Sequence, residues 1–344
     1  MPNSPPSQAA DNGLVYVDDS LPGIRRKRRR NKWVYSAAEG TPITDVQEIA
    51  RLNAIALPPA YEDAWFCPAA NGHILATGYD ARGRKQYRYH PQFREMRDGE
   101  KFDRCLAFGN LLPLLRKRVE LDMAAPQLTQ ERAVACVVRL LDLGRIRIGN
   151  SEYTKQNKSF GATTLRHRHV RIEGGEMRLT FKGKSGQLRN VTLKDKGLAR
   201  FASEVQDLPG QQLFQYVDDD GENHQVTSGD VNAYIRHSMG EDFTAKNFRT
   251  FHASVLAFAT LASGKEDLPI KVLLEVVSDR LGNTPAVARK SYIHPAVIDL
   301  VERQTQWRAG LRLPRKTRWL TREERGLLAM LEDSPAAAEL MTAA

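Results

Sequence analysis

The stretch Leu281-Gly282-Asn283-Thr284-Pro285-Ala286-Val287-Ala288-Arg289-Lys290-Ser291-Tyr292-Ile293 contains a helix start and a tyrosine whose position that start fixes. Thr284 is a good N-cap and Pro285 a good first helical residue, so a helix begins here. Tyr292 then sits about two turns further on. The pattern predicts Leu281 and Val287 packed inward, with Arg289 and Lys290 in water. Taken alone, Tyr292 has two readings. It is a nucleophile beside two cations and nine positions after a polar Asn283, or an ordinary half-buried tyrosine on an amphipathic helix. Short motifs have many chance matches, so the rest of the chain must decide.

The 344 residues include 51 Lys and Arg against 41 Asp and Glu, a net charge of +10. A surface this basic usually meets phosphate, in nucleic acid or anionic lipid. No basic amphipathic helix accompanies it, which favours nucleic acid. With 41% hydrophobic and 27% charged residues, the chain reads as soluble, globular and long enough for two domains. No run of about 18 apolar residues exists, so no membrane span is expected. Met1-Pro2-Asn3-Ser4-Pro5-Pro6 lacks the cationic start and apolar core of a signal peptide. Cys67, Cys105 and Cys136 are odd in number, widely spaced and without a CxxC pair. They argue for a reducing compartment, buried structural thiols, no disulfide framework and no zinc site.

Residues up to about Ser20 are polar and Pro-rich and read as disordered. The run Arg25-Arg26-Lys27-Arg28-Arg29-Arg30 follows, then Asn31 and the strand Lys32-Trp33-Val34-Tyr35-Ser36. The run suits a nuclear address, a strap that grips phosphate or a solvated arm. The adjoining strand anchors it to a domain and favours contact with DNA backbone. Thr44 is placed as the cap of a short helix with Val46, Ile49 and Ala50 inward. Strands are expected at Ala64–Cys67, His73–Tyr79 and Lys85–Tyr89. On the last, Gln86 is in register with Arg88, while Tyr87 shares the other face with Tyr89. Basic residues interleaved with aromatics and an amide suit a DNA groove, where Gln reads an adenine edge. An edge strand with one tyrosine face on a small core gives the same pattern.

Met96-Arg97-Asp98-Gly99 reads as a linker into a mostly helical second domain. Phe102, Leu106, Gly109 and Leu112 mark one helix, and Ala133, Val134, Val137, Leu140 and Leu141 another, ended by Gly144. Arg145 and Arg147 follow; burying them unpartnered is costly, so they should face solvent, an acid or a phosphate. A three-stranded meander comes next, from Val170 and Ile172 through Met177, Leu179 and Phe181 to Val191 and Leu193. It places Lys184 at a hairpin tip. Gly183-Lys184-Ser185 is not a phosphate-binding P-loop, because the first glycine and the following helix are missing. Helices are expected over Lys196–Asp207, Ser228–Ser238, Thr244–Ala262 and Pro295–Arg308. Lys246 and Arg249 share one face near a helix N-terminus, which favours an anion. A basic Arg315-Lys316-Thr317-Arg318 precedes a final short helix and an Ala-rich tail.

Arg147, Lys184, Arg249, Asn283 and Tyr292 form a set with one chemical purpose. A tyrosine attacking a phosphodiester passes through a phosphorane-like state with extra charge on its equatorial oxygens. Two arginines hold those oxygens with forked donors, and Asn283 adds a neutral donor. A lysine protonates the leaving oxygen. Neither metal ligands nor a nucleotide loop is needed, and neither is found in the sequence.

The order and spacing of these residues resemble the type IB DNA topoisomerases, in the short form of poxviruses and bacteria. The matching signals are Arg147 in Ile146-Arg147-Ile148-Gly149, Lys184 in its hairpin, Lys246-Asn247-Phe248-Arg249-Thr250, and Asn283 to Tyr292. Gly83-Arg84-Lys85-Gln86-Tyr87-Arg88-Tyr89 is similar to that family's base-contacting strand. The resemblance spans about Arg25 to His294. It implies an α+β protein forming a C-shaped clamp on duplex DNA: a weakly ordered tail (1–24), a small β-rich DNA-binding domain (25–98), a larger, mainly helical catalytic domain with the meander (99–312) and a basic, helical extension (313–344). It also implies that Tyr292 forms a 3′-phosphotyrosyl bond and frees a 5′-hydroxyl, which attacks back after the nicked duplex rotates. Arg147 and Arg249 clamp the phosphate, Lys184 is the main acid and Lys246 assists. Arg84, Lys85, Gln86, Tyr87 and Tyr89 contact DNA, as does Tyr153 in the loop after Arg147. No ATP, metal or other cofactor is implied, and the expected form is a bacterial, cytoplasmic, nucleoid-associated monomer. Most of the wider superfamily has His where this chain has Asn283, which still donates a hydrogen bond but carries no charge.

Tyrosine recombinases share that fold and chemistry. They usually place His three residues before the second arginine, where this chain has Lys246, and their N-terminal domains are helical. A non-catalytic DNA-binding protein accounts for the charge and the basic runs, but not for a complete catalytic set in order.

Overall fold

Alternating residues from Ile24 to Tyr89 build an antiparallel sheet whose strands are β1 (Ile24–Arg29), β2 (Lys32–Ser36), β3 (Glu62–Phe66), β4 (Ile74–Tyr79) and β5 (Lys85–Tyr89). Their spatial order is β2-β1-β3-β4-β5. The sheet belongs to the first of two compact units, Met1–Gly99 and Glu100–Ala344, in a computed structural model that describes residues 13–30 and 32–342. The Pro-rich start, Asn31 and the last two alanines lie outside the described residues. Ile24, Tyr35, Phe66 and Ala76 point from the sheet into the first unit's core, where they meet Leu52 and Leu57.

The arginine run forms the greater part of β1, paired with β2 (Arg26 opposite Tyr35) and β3 (Arg25 opposite Trp65). Arg26 donates to the carbonyls of Leu57 (2.8 Å) and Pro58 (2.9 Å), and its guanidinium carbon lies 4.1 Å from the Trp33 ring centroid. Those contacts offset the cost of withdrawing a cation from water. Arg25 pairs with Asp63 at 2.7 Å. Residues 13–21, read from sequence as tail, lie against this unit: Val15 bridges Gly72, and Leu21 O accepts from Trp65 Nε1 at 3.0 Å.

Helix α1 (Val46–Ala54) is capped by Asp45 rather than Thr44. Its buried face therefore carries Leu52 with Ile49 half-buried, whereas Val46 is 79% exposed and Ala50 is also in water. A helix also replaces the expected linker at Met96–Gly99, since α2 runs unbroken from Pro91 to Met123 and the boundary between units falls inside it. One glycine costs a helix interior about 1 kcal/mol, too little to break it among good formers such as Glu95, Met96 and Arg97.

The second unit continues with α3 (Gln130–Gly144) and α4 (Ser151–Asn157), then the meander β6 (Val170–Glu173), β7 (Glu176–Lys182) and β8 (Leu188–Leu193). Helix α5 (Lys196–Glu204), the small hairpin β9 (Gln215–Val217) and β10 (Asn223–Gln225), α6 (Ser228–Met239) and α7 (Ala245–Ser263) follow. The remaining helices are α8 (Ile270–Leu281), α9 (Pro285–Ser291), α10 (Pro295–Asp299), α11 (Gln304–Gly310), α12 (Arg322–Glu332) and α13 (Ala337–Thr342). The α+β class read from the sequence therefore holds, while α8 and the β9–β10 hairpin are additions to it. Phe108 of α2 packs edge-on against Phe243, Phe248 and Phe251 at centroid distances of 5.1–5.7 Å, so α7 is held in the middle of the core.

A buried polar cluster ties the C-terminal helices to this core. Arg116 donates to Asp142 (2.8 and 2.9 Å) and to Glu324 (2.8 and 2.9 Å), and His252 Nε2 lies 2.8 Å from Asp142. The first cost is burial, but the Arg116 charge and the His252 contact leave the Asp142 carboxyl well below the usual range. No helix among the described residues is long and apolar enough to cross a membrane.

Candidate active site

Two backbone features aim Arg147. Helix α3 ends in a left-handed residue, which is Arg145 (φ 53°) and not the preceding Gly144. The chain then runs extended beside residues 161–163, with Ala162 N–H donating to Arg147 O (2.8 Å) and Thr163 N–H to Ile148 O (2.7 Å). A Cβ on Gly161 would stand 2.6 Å from Arg147 O and 2.5 Å from Gly149 N, so only glycine permits this crossing.

Arg249 is the one charged residue on the buried face of α7, 4% exposed between Phe248 and Phe251. It donates to Arg145 O (2.7 Å), to Leu281 O (3.1 Å) and to Asn283 Oδ1 (3.1 Å). Arg147 Nη2 reaches the same Oδ1 at 2.8 Å. With two cations on its oxygen, the Asn283 amide turns its Nδ2 away. That nitrogen and Arg249 Nε are buried and have no hydrogen-bond partner among the described residues. Orphaned buried donors are rare, and two in one place beside two arginines suit an anion. Among the described residues no carboxylate pairs with either arginine.

Helix α9 starts where the sequence places it, with Thr284 Oγ1 accepting from Val287 N–H (3.3 Å) and Pro285 in the first turn. Leu281 is buried as expected, at the end of α8, but Val287 is 41% exposed and Ala288 turns inward in its place. Only seven residues long, α9 buries a narrow stripe. Tyr292 is its C-cap, with N–H to Ala288 O (3.1 Å) and its carbonyl accepting from Ser254 Oγ (3.3 Å). Ser254 is on α7, so one helix supplies Arg249 and braces the Tyr292 backbone. The Arg249 guanidinium carbon lies 4.8 Å from the Tyr292 ring centroid. Burial raises the Tyr292 phenol, but Arg249, Arg147 and Lys184 overcome it and the net shift is downward. Burial and the neighbouring Arg147 lower Arg249 to about 10.

Lys184 is exposed at the tip between β7 and β8, as its turn predicts, with Ser185 in the left-handed region (φ 62°). A cleft lined by Arg147, Lys184, Gln187, Arg189, Arg249 and Gly282 joins it to the others. Lys246 is exposed in the first turn of α7, while Arg249, one turn on, is buried. Tyr153 is on a helix, not in a loop: α4 is capped by Asn150, whose Oδ1 accepts from Tyr153 N–H at 2.9 Å. Arg189 and Ser254 were not singled out by sequence. The strand alternation that puts Phe181 opposite Arg189 was a usable signal for the first, but a serine inside an apolar helix carried none.

In the first unit, Tyr87 and Tyr89 share a face of β5 as expected, their rings stacked at 5.7 Å. Three of the polar residues there are already tied to acids. Arg84 (2.7 Å) and Gln86 Nε2 (3.0 Å) both meet Asp80 Oδ2, and Lys85 Nζ lies 2.7 Å from Asp19. The Arg84 contact, with backbone donors from Arg82 and Arg84, takes Asp80 down to about 2.

A larger groove, about 1100 Å³, lies under residues 316–323. Its Arg116 and Arg139 are paired with Asp142 and Asp195, unlike Arg147 and Arg249 around Asn283. Among the described residues no group of three or more His, Cys, Asp or Glu could hold a metal ion.

Comparison with known proteins accords with this geometry. Residues 90–291 match the family model described as the catalytic core of eukaryotic DNA topoisomerase I, which ends one position before Tyr292. Residues 32–80 match the N-terminal domain of bacterial DNA topoisomerase IB. DNA topoisomerase 1B of Acanthamoeba polyphaga mimivirus is 32% identical over 301 residues, covering 83% of this chain and 90% of that protein. DNA topoisomerase 1B of vaccinia virus (strain Copenhagen) is 22% identical over 247 residues, 70% of this chain and 76% of its own length. On the span and level of these matches, the chain belongs to the type IB DNA topoisomerase family.

Proposed function

We propose that this protein relaxes supercoiled duplex DNA through a transient single-strand break, with no ATP and no metal. Tyr292 Oη attacks a backbone phosphorus, so the Oη–P bond forms as the P–O5′ bond breaks. The phenol's proton passes to solvent, and Lys184 gives the departing 5′-oxygen its proton. The product is a 3′-phosphotyrosyl ester and a free 5′-hydroxyl. After the duplex rotates, the 5′-hydroxyl attacks back, and Lys184 recovers its proton. One ester replaces another of similar energy, which is why no nucleotide is consumed.

The observation that carries this reading is the convergence of Arg147 and Arg249 on Asn283 Oδ1 beside the Tyr292 ring, with unused donors on Asn283 and Arg249. Donors fixed before the reaction stabilise charge that develops on the equatorial oxygens without reorganising. Lys246, in the first turn of α7, assists from the solvent side. Arg84, Lys85, Gln86, Tyr87, Tyr89 and Tyr153 contact the duplex, and the protein acts as a monomer on the nucleoid in the cytoplasm.

The test is incubation with supercoiled plasmid in EDTA, without ATP. Relaxation by the parent, and loss of both relaxation and covalent adduct in Tyr292→Phe, are expected. Binding without relaxation by the parent would sink the reading.

A further inference from the structure

Arg189 belongs to the meander, yet its side chain is spent on another element. Nη1 donates to Asp279 O (3.2 Å) and Nη2 to Arg280 O (2.8 Å), the carbonyls that end α8. Its stem packs over Gly183, where a Cβ would meet Arg189 Cγ at 3.1 Å. Its guanidinium covers Gly282, where a Cβ would come within 2.3 Å of Nη1. Gly282 has φ 64°, so the close approach and the left-handed backbone both require glycine. One side chain therefore links the hairpin that carries Lys184 to the turn that carries Asn283.

The two linked parts are not equally secure. The turn is held by its own contacts: the N–H groups of Gly282 and Asn283 both donate to Ser278 O, and Leu281 and Ala288 on either side are 1% and 0% exposed. The hairpin tip from Lys184 to Leu188 is exposed at every position. Removing the link frees the hairpin and leaves the turn in place. A guanidinium fork on helix-end carbonyls is also an unusual use of a cation beside Arg147 and Arg280, which with burial lower Arg189. The helix C-terminus, with its outward carbonyls, compensates.

We infer that Arg189 is a positioning residue that holds the β7–β8 hairpin against the end of α8 and so fixes Lys184 at the leaving 5′-oxygen. The inference rests on the role proposed above for Lys184. A misplacement of about 1 Å costs on the order of 10²-fold in rate.

The test is single-turnover cleavage of a suicide duplex by the full-length protein, with oxygen or sulfur as the bridging 5′-atom. A thiolate leaves without a proton, so sulfur removes the need for the acid. Arg189→Ala should lose about 10²-fold on the oxygen substrate. It should recover to within a few-fold of the parent on sulfur and add little to Lys184→Ala in the double variant. Arg189→Lys keeps the stem and the charge but loses the fork, and should show a smaller defect of the same kind. A loss that persists on sulfur, or that multiplies with that of Lys184→Ala, overturns the inference and makes Arg189 a contact of the DNA or of the transition state. If Lys184→Ala itself is not rescued by sulfur, the acid assignment fails first, whatever Arg189 does.

Discussion

Arg249 holds its guanidinium carbon 4.8 Å from the centroid of the Tyr292 ring, and the two residues come from helices that also share Ser254 as a backbone brace. The pair joins an electrostatic effect to a positional one. A cation beside a phenol favours the phenolate, which is the attacking form. Cleavage by the parent should therefore rise with pH and level off below the ordinary tyrosine pKa of about 10. Arg249→Ala removes the largest opposing charge and leaves the burial that raises the phenol. Its profile should move to higher pH, with a rate lower by roughly 10²–10³-fold at neutrality. Single-turnover adduct formation across pH decides this, and an unshifted profile in Arg249→Ala would detach the pair from the chemistry.

Asn283 accepts from both arginines through one oxygen and leaves its buried nitrogen without a hydrogen-bond partner among the described residues. Asn283→Ala loses the common acceptor and one donor, and should slow cleavage by roughly 10²-fold. Asn283→Asp is the sharper probe. It keeps the acceptor but turns an anionic oxygen toward the phosphate, so it should be slower than Ala. Asn283→His should remain active, since imidazole both donates and accepts. If the Asp variant outperforms Ala in the same cleavage assay, the donor role of Nδ2 is wrong.

The arginines of β1 divide into two kinds. Arg26 is tied to carbonyls and Trp33, so Arg26→Ala should lower the thermal stability of the first unit, by about 1–3 kcal/mol. Arg28 and Arg29 are exposed. Binding of the parent to duplex DNA should weaken with salt at a log–log slope of about −4 or steeper. Replacing Arg28 and Arg29 together by Ala should make that slope shallower by about 1–2, without affecting melting. Equal slopes in the parent and the double variant would place these residues away from the DNA.

Glu324 is 4% exposed and shares Arg116 with Asp142. Glu324→Ala leaves Arg116 half-satisfied and should destabilise the second unit by about 3 kcal/mol, read as an earlier denaturant midpoint. Because Asp142 lies three residues before Arg145 and His252 three after Arg249, the variant should also cleave more slowly below its midpoint. A variant as stable as the parent would show that the cluster contributes nothing net.

The candidate site was legible in the sequence because the chemistry proposed for it limits the residue types that can do it. Arg147, Lys184, Arg249, Asn283 and Tyr292 are brought together in the second unit, and the Thr284-Pro285 start and the meander fall where they were placed. Packing frames were less legible. Asp45 competes with Thr44 as a cap, and a slip of one residue moved Val46 from the core to water. Helix α8 was missed although Leu273, Leu274, Val277 and Leu281 recur at helical spacing, because the β-branched Ile270 and Val272 in its first turn mask it. The arginines of β1 read from the sequence as groups for solvent or phosphate, because charge signals exposure. Nothing local shows that Arg26 will find two carbonyls some thirty residues away. Alternation marks the face of Arg189, but not that it reaches the carbonyls of Asp279 and Arg280.

The Arg116–Glu324 contact spans 208 positions of sequence, so it closes only after residue 324 has been made. A ribosome that has just released Tyr292 has made all five residues of the candidate site, but not the carboxylate that completes the cluster between α2, α3 and α7. Until residue 324 emerges, Arg116 has only the Asp142 carboxylate, while α3 and α7 are already joined through Asp142 and His252. Non-local contacts of this kind close late in folding.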